Sequence, residues 1–292
     1  MSEQKYNRGE QDLGNIVEIG HVNNRIPDQR LSTLFYVSGL GLTRDPILMT
    51  STDNMWVNVG KSQFHLPTGD AVVAPGTRTG LIVPGREALL ARLARVKKDL
   101  ADTKFSFTET NDGVDATCPW GNRFTVHEPD EKRFGPMQLG MPYVSFDSPR
   151  GSSKGIARFY REMIGAHASA GADDGGAFAR VEAGNGQALI FREGDKQNIV
   201  NPTHHVMIFV CDFSGPHRRL NERGLISEES NHAQYRFENI IDLDTGKSLY
   251  VIDHETRSMR NTMYGRKLVN RNALQTARDY RADHDFVEPG LA

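Results

Sequence analysis

A unit of about 60 residues occurs four times along this chain, and the repeat limits the fold more than any other feature. The units open at residues 21–27, 78–84, 143–149 and 205–211, and their first residues stand 57, 65 and 62 positions apart. Each opening is a short apolar run, most of them closed by a proline. An amphipathic stretch follows in each, at 31–37, 87–100, 156–164 and 216–223. In the second unit Leu89, Leu90, Leu93, Val96 and Leu100 recur at spacings close to 3.6, which predicts a helix. Strand-like runs punctuated by Gly, Asn and Asp come next: 55–59 and 62–66, 105–109 and 122–126, 177–183 and 187–191, 235–241 and 248–252. The Gly60-Lys61 turn between the first two reads as a hairpin. The unit is therefore strand, helix, three strands, with one apolar sheet face. A single unit buries too little surface to be stable alone, so pairing is expected. The expected class is α+β, with four βαβββ modules paired in chain order. That gives an N-terminal extension at 1–14, a first domain at 15–130, a linker at 131–140, a second domain at 141–255 and a tail at 256–292.

Composition excludes several functions. The near balance of 35 Lys and Arg against 37 Asp and Glu gives no support to nucleic-acid binding, which needs clustered positive charge. Two cysteines, Cys118 and Cys211, cannot build a disulfide framework, which points to a reducing, cytoplasmic compartment. No apolar run approaches the roughly 20 residues of a membrane span, and the polar start does not read as a signal peptide. No P-loop or dinucleotide glycine pattern is present, so no nucleotide cofactor is expected. A small molecule is the expected partner, and assembly into a homo-oligomer is left open.

The string His21-Val22 to Pro27-Asp28, with Leu34-Phe35-Tyr36 and Gly39-Leu40-Gly41-Leu42, resembles the opening strand, helix and turn of the vicinal oxygen chelate superfamily. Arg158-Phe159-Tyr160 with Ile164-Gly165 repeats it weakly. Gly121-Asn122-Arg123-Phe124 resembles the turn before that family's closing strand, and His204-His205 with Val206–Val210 resembles a strand of its two-domain extradiol dioxygenases. The resemblance spans roughly residues 15–255. It implies two open-barrel domains, each with a cavity whose ligands come from the first and last strands of a module. A divalent ion held there by imidazole and carboxylate groups (Fe, Mn, Ni or Zn) acts as a Lewis acid towards two neighbouring substrate oxygens.

Residue by residue, the resemblance maps the ligand positions of the first domain to His21, His65, Arg78 and Thr125. In the second domain they map to Tyr143, Leu189 or Ile190, His205 and Tyr250. Neither set is complete. Tyr250 stands where an extradiol dioxygenase has Glu, so a normal enzyme of that type, or a glyoxalase I, is not expected. His127 shares a face with Thr125, since strand side chains alternate, and could complete a metal set of His21, His65 and His127. Arg78 reads either as an anion-binding fork or as the partner of an acid at a strand end. Tyr143 and Tyr250 read as pocket acids or as core aromatics. The candidate catalytic residues are thus Arg78, Tyr143, His205 and Tyr250, with one divalent metal in the first domain. The favoured reading is an isomerase, lyase or oxygenase acting on a small oxygenated or aromatic metabolite. The alternative is metal-free binding or sequestration of a drug-like molecule, as in bleomycin resistance. The tail is expected to wrap back over the first domain or a partner, with a short helix at 273–282.

Overall fold

The structure is a computed structural model that describes residues 6–48, 53–71, 74, 76–184, 186–195, 204–271 and 277–278. The helix expected at 273–282 lies almost wholly outside them. Module one consists of β1 (Ile16–Asn23), α1 (Gln29–Ser32, continuing as a π-helix over Thr33–Gly39), β2 (Thr43–Arg44), β3 (Asn54–Val59) and β4 (Ser62–Pro67). Module two is β5 (Thr77–Ile82), α2 (Arg86–Val96), β6 (Ser106–Thr110), β7 (Gly113–Thr117) and β8 (Arg123–His127). A short linker helix α3 (Glu131–Phe134) follows, its N-terminus capped by Asp130, which accepts from the amides of Lys132 and Arg133. Module three is β9 (Gly140–Pro149), α4 (Ser153–Phe159, continuing as a π-helix over Tyr160–Ile164), β10 (Ala168–Asp173), β11 (Gly176–Ala183) and β12 (Gln187–Gly194). Module four is β13 (His205–Val210), α5 (Ser214–Glu222), β14 (Ile226–Asn231), β15 (Gln234–Ile241) and β16 (Ser248–Ser258).

All four modules have the expected order of strand, helix and three strands. The chain forms two eight-stranded sheets with the helices packed against them, an α+β architecture of the expected kind. The pairing of modules is not sequential, however. One sheet runs β14-β15-β16-β13-β1-β4-β3-β2 and the other β10-β11-β12-β9-β5-β8-β7-β6. The seams are the antiparallel pairs β1–β13 and β5–β9, so module one shares a sheet with module four and module two with module three. Each module leaves its first strand with an unpaired edge that must be covered. All four first strands are similar apolar runs, so local sequence does not say which edge meets which. The chain-order pairing is kept on the helical side instead. Gly39 at the end of the first π-helix lies against α2, where an added Cβ would stand 3.4 Å from both Leu93 and Val96 side chains. Arg219 of α5 donates to the Met163 carbonyl of module three at 2.9 Å.

One continuous apolar core runs between the sheets and their helices, from Ile16, Ile19 and Val22 of β1 to Tyr250 and Ile252 of β16. The Gly60-Lys61 turn is present. Gly60 takes φ +61, and an added Cβ would lie 2.2 Å from the Leu139 carbonyl oxygen, so the turn seats directly on the linker. After β16 the chain turns back across the first sheet. Asn58 donates to the Val269 carbonyl at 3.0 Å, Asn270 to the Gly60 carbonyl at 2.8 Å, and Arg266 pairs with the fully buried Asp45 at 2.6 Å. Residues 259–271 therefore form a strap over module one, the placement expected of the tail.

Candidate metal centre

The site begins with an irregularity in β1. Its ladder with β13 slips between Ile16 and Glu18 and again between Ile19 and His21. Core residues Ile16, Ile19 and Val22 consequently fall three apart rather than two. The second slip brings His21 onto the same face as Glu18, away from the helices. A bulge re-aims a side chain in this way.

On that face cross-strand partners form rows. Gln63, His21, Met207 and Glu255 make one row, and His65, Asn23, His205 and Asp253 the next. Donor atoms of His21, His65 and His205 all lie within 4.8 Å of one another. The Nε2 atoms of His21 and His205 are 3.1 Å apart, and His205 Nε2 is 3.4 Å from Glu255 Oε2. The His65 ring stacks on Trp56, its cross-strand partner, at 4.0 Å between centroids and 13° between planes. The rings of His21 and Trp56 meet edge to face.

Burial disfavours the imidazolium form of all three histidines. It holds His65 down at about 4 and His21 and His205 well below the usual value, and Arg236 and Arg257 push the same way. The rings are neutral at ordinary pH, as metal ligation requires. Arg236 bonds the carboxylates of both Asp253, at 2.5 Å, and Glu255, and lies 3.3 Å from His205 Nδ1. Arg257 reaches Glu255 at 2.6 Å. Burial raises Asp253 to about 6 against the pull of Arg236.

The sequence-derived residues divide between two places. His21 and His65 meet His205, a residue of the expected second domain. His127 does not join them. It lies in β8 of the other sheet, its Nδ1 2.8 Å from the Asp112 carbonyl and its Nε2 2.9 Å from the Tyr143 hydroxyl. Arg78 and Tyr143 are also on that sheet. Arg78 donates to Asp115 and Thr125, each at 2.7 Å, so the acid-partner reading describes it. Tyr250 faces the core, against Phe146 and Phe191.

Glu255 was missed. The relevant signal is the alternation in β16. Tyr250, Ile252 and His254 point to the core, so Asp253, Glu255 and Arg257 point to the site. His254 is a satisfied core residue, 2.6 Å from the Tyr160 hydroxyl and stacked on Phe237. His204, read as a surface or interdomain residue, is buried and lies 3.0 Å from Asn24 Oδ1. The same register rule locates the equivalent positions of the second sheet at Arg78, Thr125, Tyr143 and Ile190, and these contain no ligand set. There an added Cβ on Gly80 would stand 2.4 Å from the Tyr143 ring.

The site suits a divalent ion. Three neutral imidazoles converge, with the Glu255 carboxylate beside His205 alone, and His65 Nε2 is buried without a hydrogen-bond partner. A buried nitrogen left in that state is costly unless something binds it.

No protein-family model matches the sequence, and no curated protein matches it. Solved structures do. A putative dioxygenase from Bacillus subtilis aligns at 15% identity and a TM-score of 0.52, covering 85% of this chain and 87% of that one. Glyoxalase I from Zea mays aligns at 13% identity and a TM-score of 0.57, covering 85% and 94%. At such identities the likeness is one of fold. With four βαβββ modules in two open sheets, the chain has the vicinal oxygen chelate fold. No helix among the described residues is long and apolar enough to cross a membrane.

Proposed function

We propose that this chain is a metal-dependent enzyme of the glyoxalase and dioxygenase type, with a single centre held by His21, His65, His205 and Glu255. The convergence of these four side chains from β1, β4, β13 and β16 supports the reading. Imidazole nitrogen with one carboxylate oxygen suits Fe, Mn, Ni or Zn. The bound ion would supply Lewis-acid stabilisation of negative charge developing on substrate oxygen. The chain's own groups do the rest. The neutral imidazoles present lone pairs without first losing a proton. Trp56 fixes the plane of the His65 ring by stacking. Arg236 Nη1, 3.3 Å from His205 Nδ1, orients that ring.

Charge favours a small anionic or enolisable substrate with two neighbouring oxygens. Asp253 and Glu255 pair with Arg236 and Arg257, and the exposed Glu228 lies 3.6 Å from Arg236, so no buried carboxylate is left over for the charge of an added divalent ion. An oxyanion is its natural counterpart. Elemental analysis after loading with each of the four metals tests the proposal. About one equivalent per chain is expected, lost in His21→Ala and His65→Ala. Failure of every metal to bind stoichiometrically would refute it.

A further inference from the structure

The slips in β1 leave peptide groups that no strand takes up, and a side chain of the second sheet reaches in to meet them. From Ile16 to Glu18, and again from Ile19 to His21, β1 advances two residues while β13 advances one. The extra residue of a bulge falls out of the ladder. On the other side of β1, the parallel ladder with β4 starts only at His21 and Gln63. Ile19 finds its partners elsewhere. Its N–H donates to Gln187 Oε1 at 2.9 Å, and its carbonyl accepts from Ser62 Oγ at 2.6 Å. Gln187 Nε2 in turn donates to Ser62 Oγ and to the Met141 carbonyl, each at 2.9 Å. Three groups thus close a ring: Ile19 N–H to Gln187, Gln187 to Ser62, Ser62 to the Ile19 carbonyl. All three residues are buried.

The other slip rests on the same part of the second sheet. Gly184, which follows β11, donates its N–H to the Ile16 carbonyl at 2.9 Å. It takes φ +60, and an added Cβ would stand 1.9 Å from the Val17 carbonyl oxygen, so glycine is required there. Both irregularities of β1 therefore lie against residues that close β11 and open β12. Their register has a consequence for the centre. Strand side chains alternate, so without the second slip Ile19 and His21 would point the same way. Ile19 is wholly buried in the core. The slip lets Ile19 stay there while His21 turns to His65 and His205. Gln187 holds that slip at the Ile19 N–H directly and at the Ile19 carbonyl through Ser62. One acceptor and two donors on a single side chain are what a carboxamide offers.

We propose that Gln187 is a positioning residue for the metal centre. It pins the bulge that aims His21, and the sheet without a ligand set thereby serves as the template for the sheet that has one. Its hydrogen bonds go to Ile19, Ser62 and Met141, none of them a ligand, so it acts through β1. The inference rests on the metal-centre reading above.

Gln187→Met in the full chain keeps the length of the side chain and removes the ring of hydrogen bonds. Co(II) affinity, read by competition with a chelator at a temperature where native and variant chains are folded, should fall about 10- to 100-fold, the usual effect of losing a group that orients a ligand. The visible spectrum of bound Co(II) should change as His21 leaves its place. Tyr160→Phe removes a buried hydrogen bond elsewhere in the core and controls for lost stability alone. Its affinity and spectrum should match those of the native chain. Where Gln187→Met does not fold, Ser62→Ala, which breaks the ring at one link, decides in its place, with a smaller fall in the same direction. Native affinity and spectrum in the deciding variant overturn the positioning role and leave the metal centre standing. So does a fall in Tyr160→Phe as large as in that variant. Failure of the native chain to bind Co(II) refutes the metal centre and this role with it.

Discussion

Glu255 stands to His205 as His65 stands to His21. In module one, His21 pairs with Gln63 across a parallel ladder and His65 lies two residues further along β4. In module four, His205 pairs with Asp253 across a parallel ladder and Glu255 lies two residues further along β16. The β1–β13 seam therefore relates two ligand pairs by a local two-fold. The first prediction concerns the odd member of the set. Glu255→Gln keeps the shape and removes the charge, and its one amide oxygen can still accept from only one of Arg236 and Arg257. Metal affinity, read by competition with a chelator, should fall more than about 100-fold, beyond the ~10–100-fold typical of changes to groups that only support a ligand. An unchanged affinity would remove Glu255 from the centre.

His127 tests the division between the two sheets. Strand alternation places it on the same face as Thr125, and it bonds Tyr143 on the other sheet. His127→Gln should leave the metal stoichiometry at about one per chain. Asp115→Asn should do the same and cost no more than about 1 kcal/mol of stability, because the Arg78–Asp115 pair is substantially exposed. Loss of metal in His127→Gln would return that residue to the ligand set.

The module pattern was readable because it is local: strand and helix periods, Gly turns and the 60-residue repeat each lie within a short window. His21, His65 and His205 follow from the resemblance to the vicinal oxygen chelate family rather than from any local pattern, and their meeting is tertiary. Two things were not local. Which first-strand edges pair is a tertiary choice among four similar runs, and it decides that His205 rather than His127 meets His21. The face of β16 depends on where that strand packs, and Tyr250 was placed at the site while its neighbours of opposite parity, Asp253 and Glu255, occupy it. Both bear on the same cluster of His21, His65 and His205.

Stability should fall as the metal-free protein is acidified. His21, His65, His204, His205 and His254 are all held below their ordinary value by burial, three of them at about 4. Between about 4 and the unfolded value near 6.5, the unfolded chain binds protons there that the native chain refuses, so stability rises with pH. Glu18, raised to about 7, and Asp253, raised to about 6, act in the opposite sense, because their native forms hold protons that the unfolded forms release. With His127, also lowered by burial, six imidazoles outnumber two carboxylates in the shared window. The urea midpoint should therefore drop between pH 6.5 and 4.5, and a flat or rising midpoint would refute the account.

The His254–Tyr160 bond separates a structural histidine from a ligand. Tyr160→Phe leaves His254 Nε2 buried without a partner and should cost about 1–3 kcal/mol in denaturant unfolding, with metal affinity unchanged. Adding His254→Phe removes the orphaned nitrogen as well and gives an aromatic ring that can still stack on Phe237. The double variant should recover part of the loss, because it removes the stranded Nε2 but also takes the Nδ1–H from the Ile252 carbonyl.

The strap supplies the last prediction. Asp45 is fully buried and accepts from Arg266, from Gln63 and from the amides of Ile47 and Leu48. Those bonds hold its carboxyl below the ordinary value. Removing the cation by Arg266→Met leaves the carboxylate its amide partners but no counter-charge. Breaking a wholly buried pair costs about 3–5 kcal/mol. Arg266 keeps some exposure and the amides remain, so the cost here should be about 2 kcal/mol. Much of it should appear locally, because Arg266 and Asn58 tie the strap to module one. Residues 259–271 should become susceptible to limited proteolysis at a protease concentration that spares the native chain, while the metal centre, anchored on the strands beneath, keeps its stoichiometry. A strap still resistant in Arg266→Met would show that Asn58, Asn270 and the Tyr264–Phe209 contact suffice to hold it.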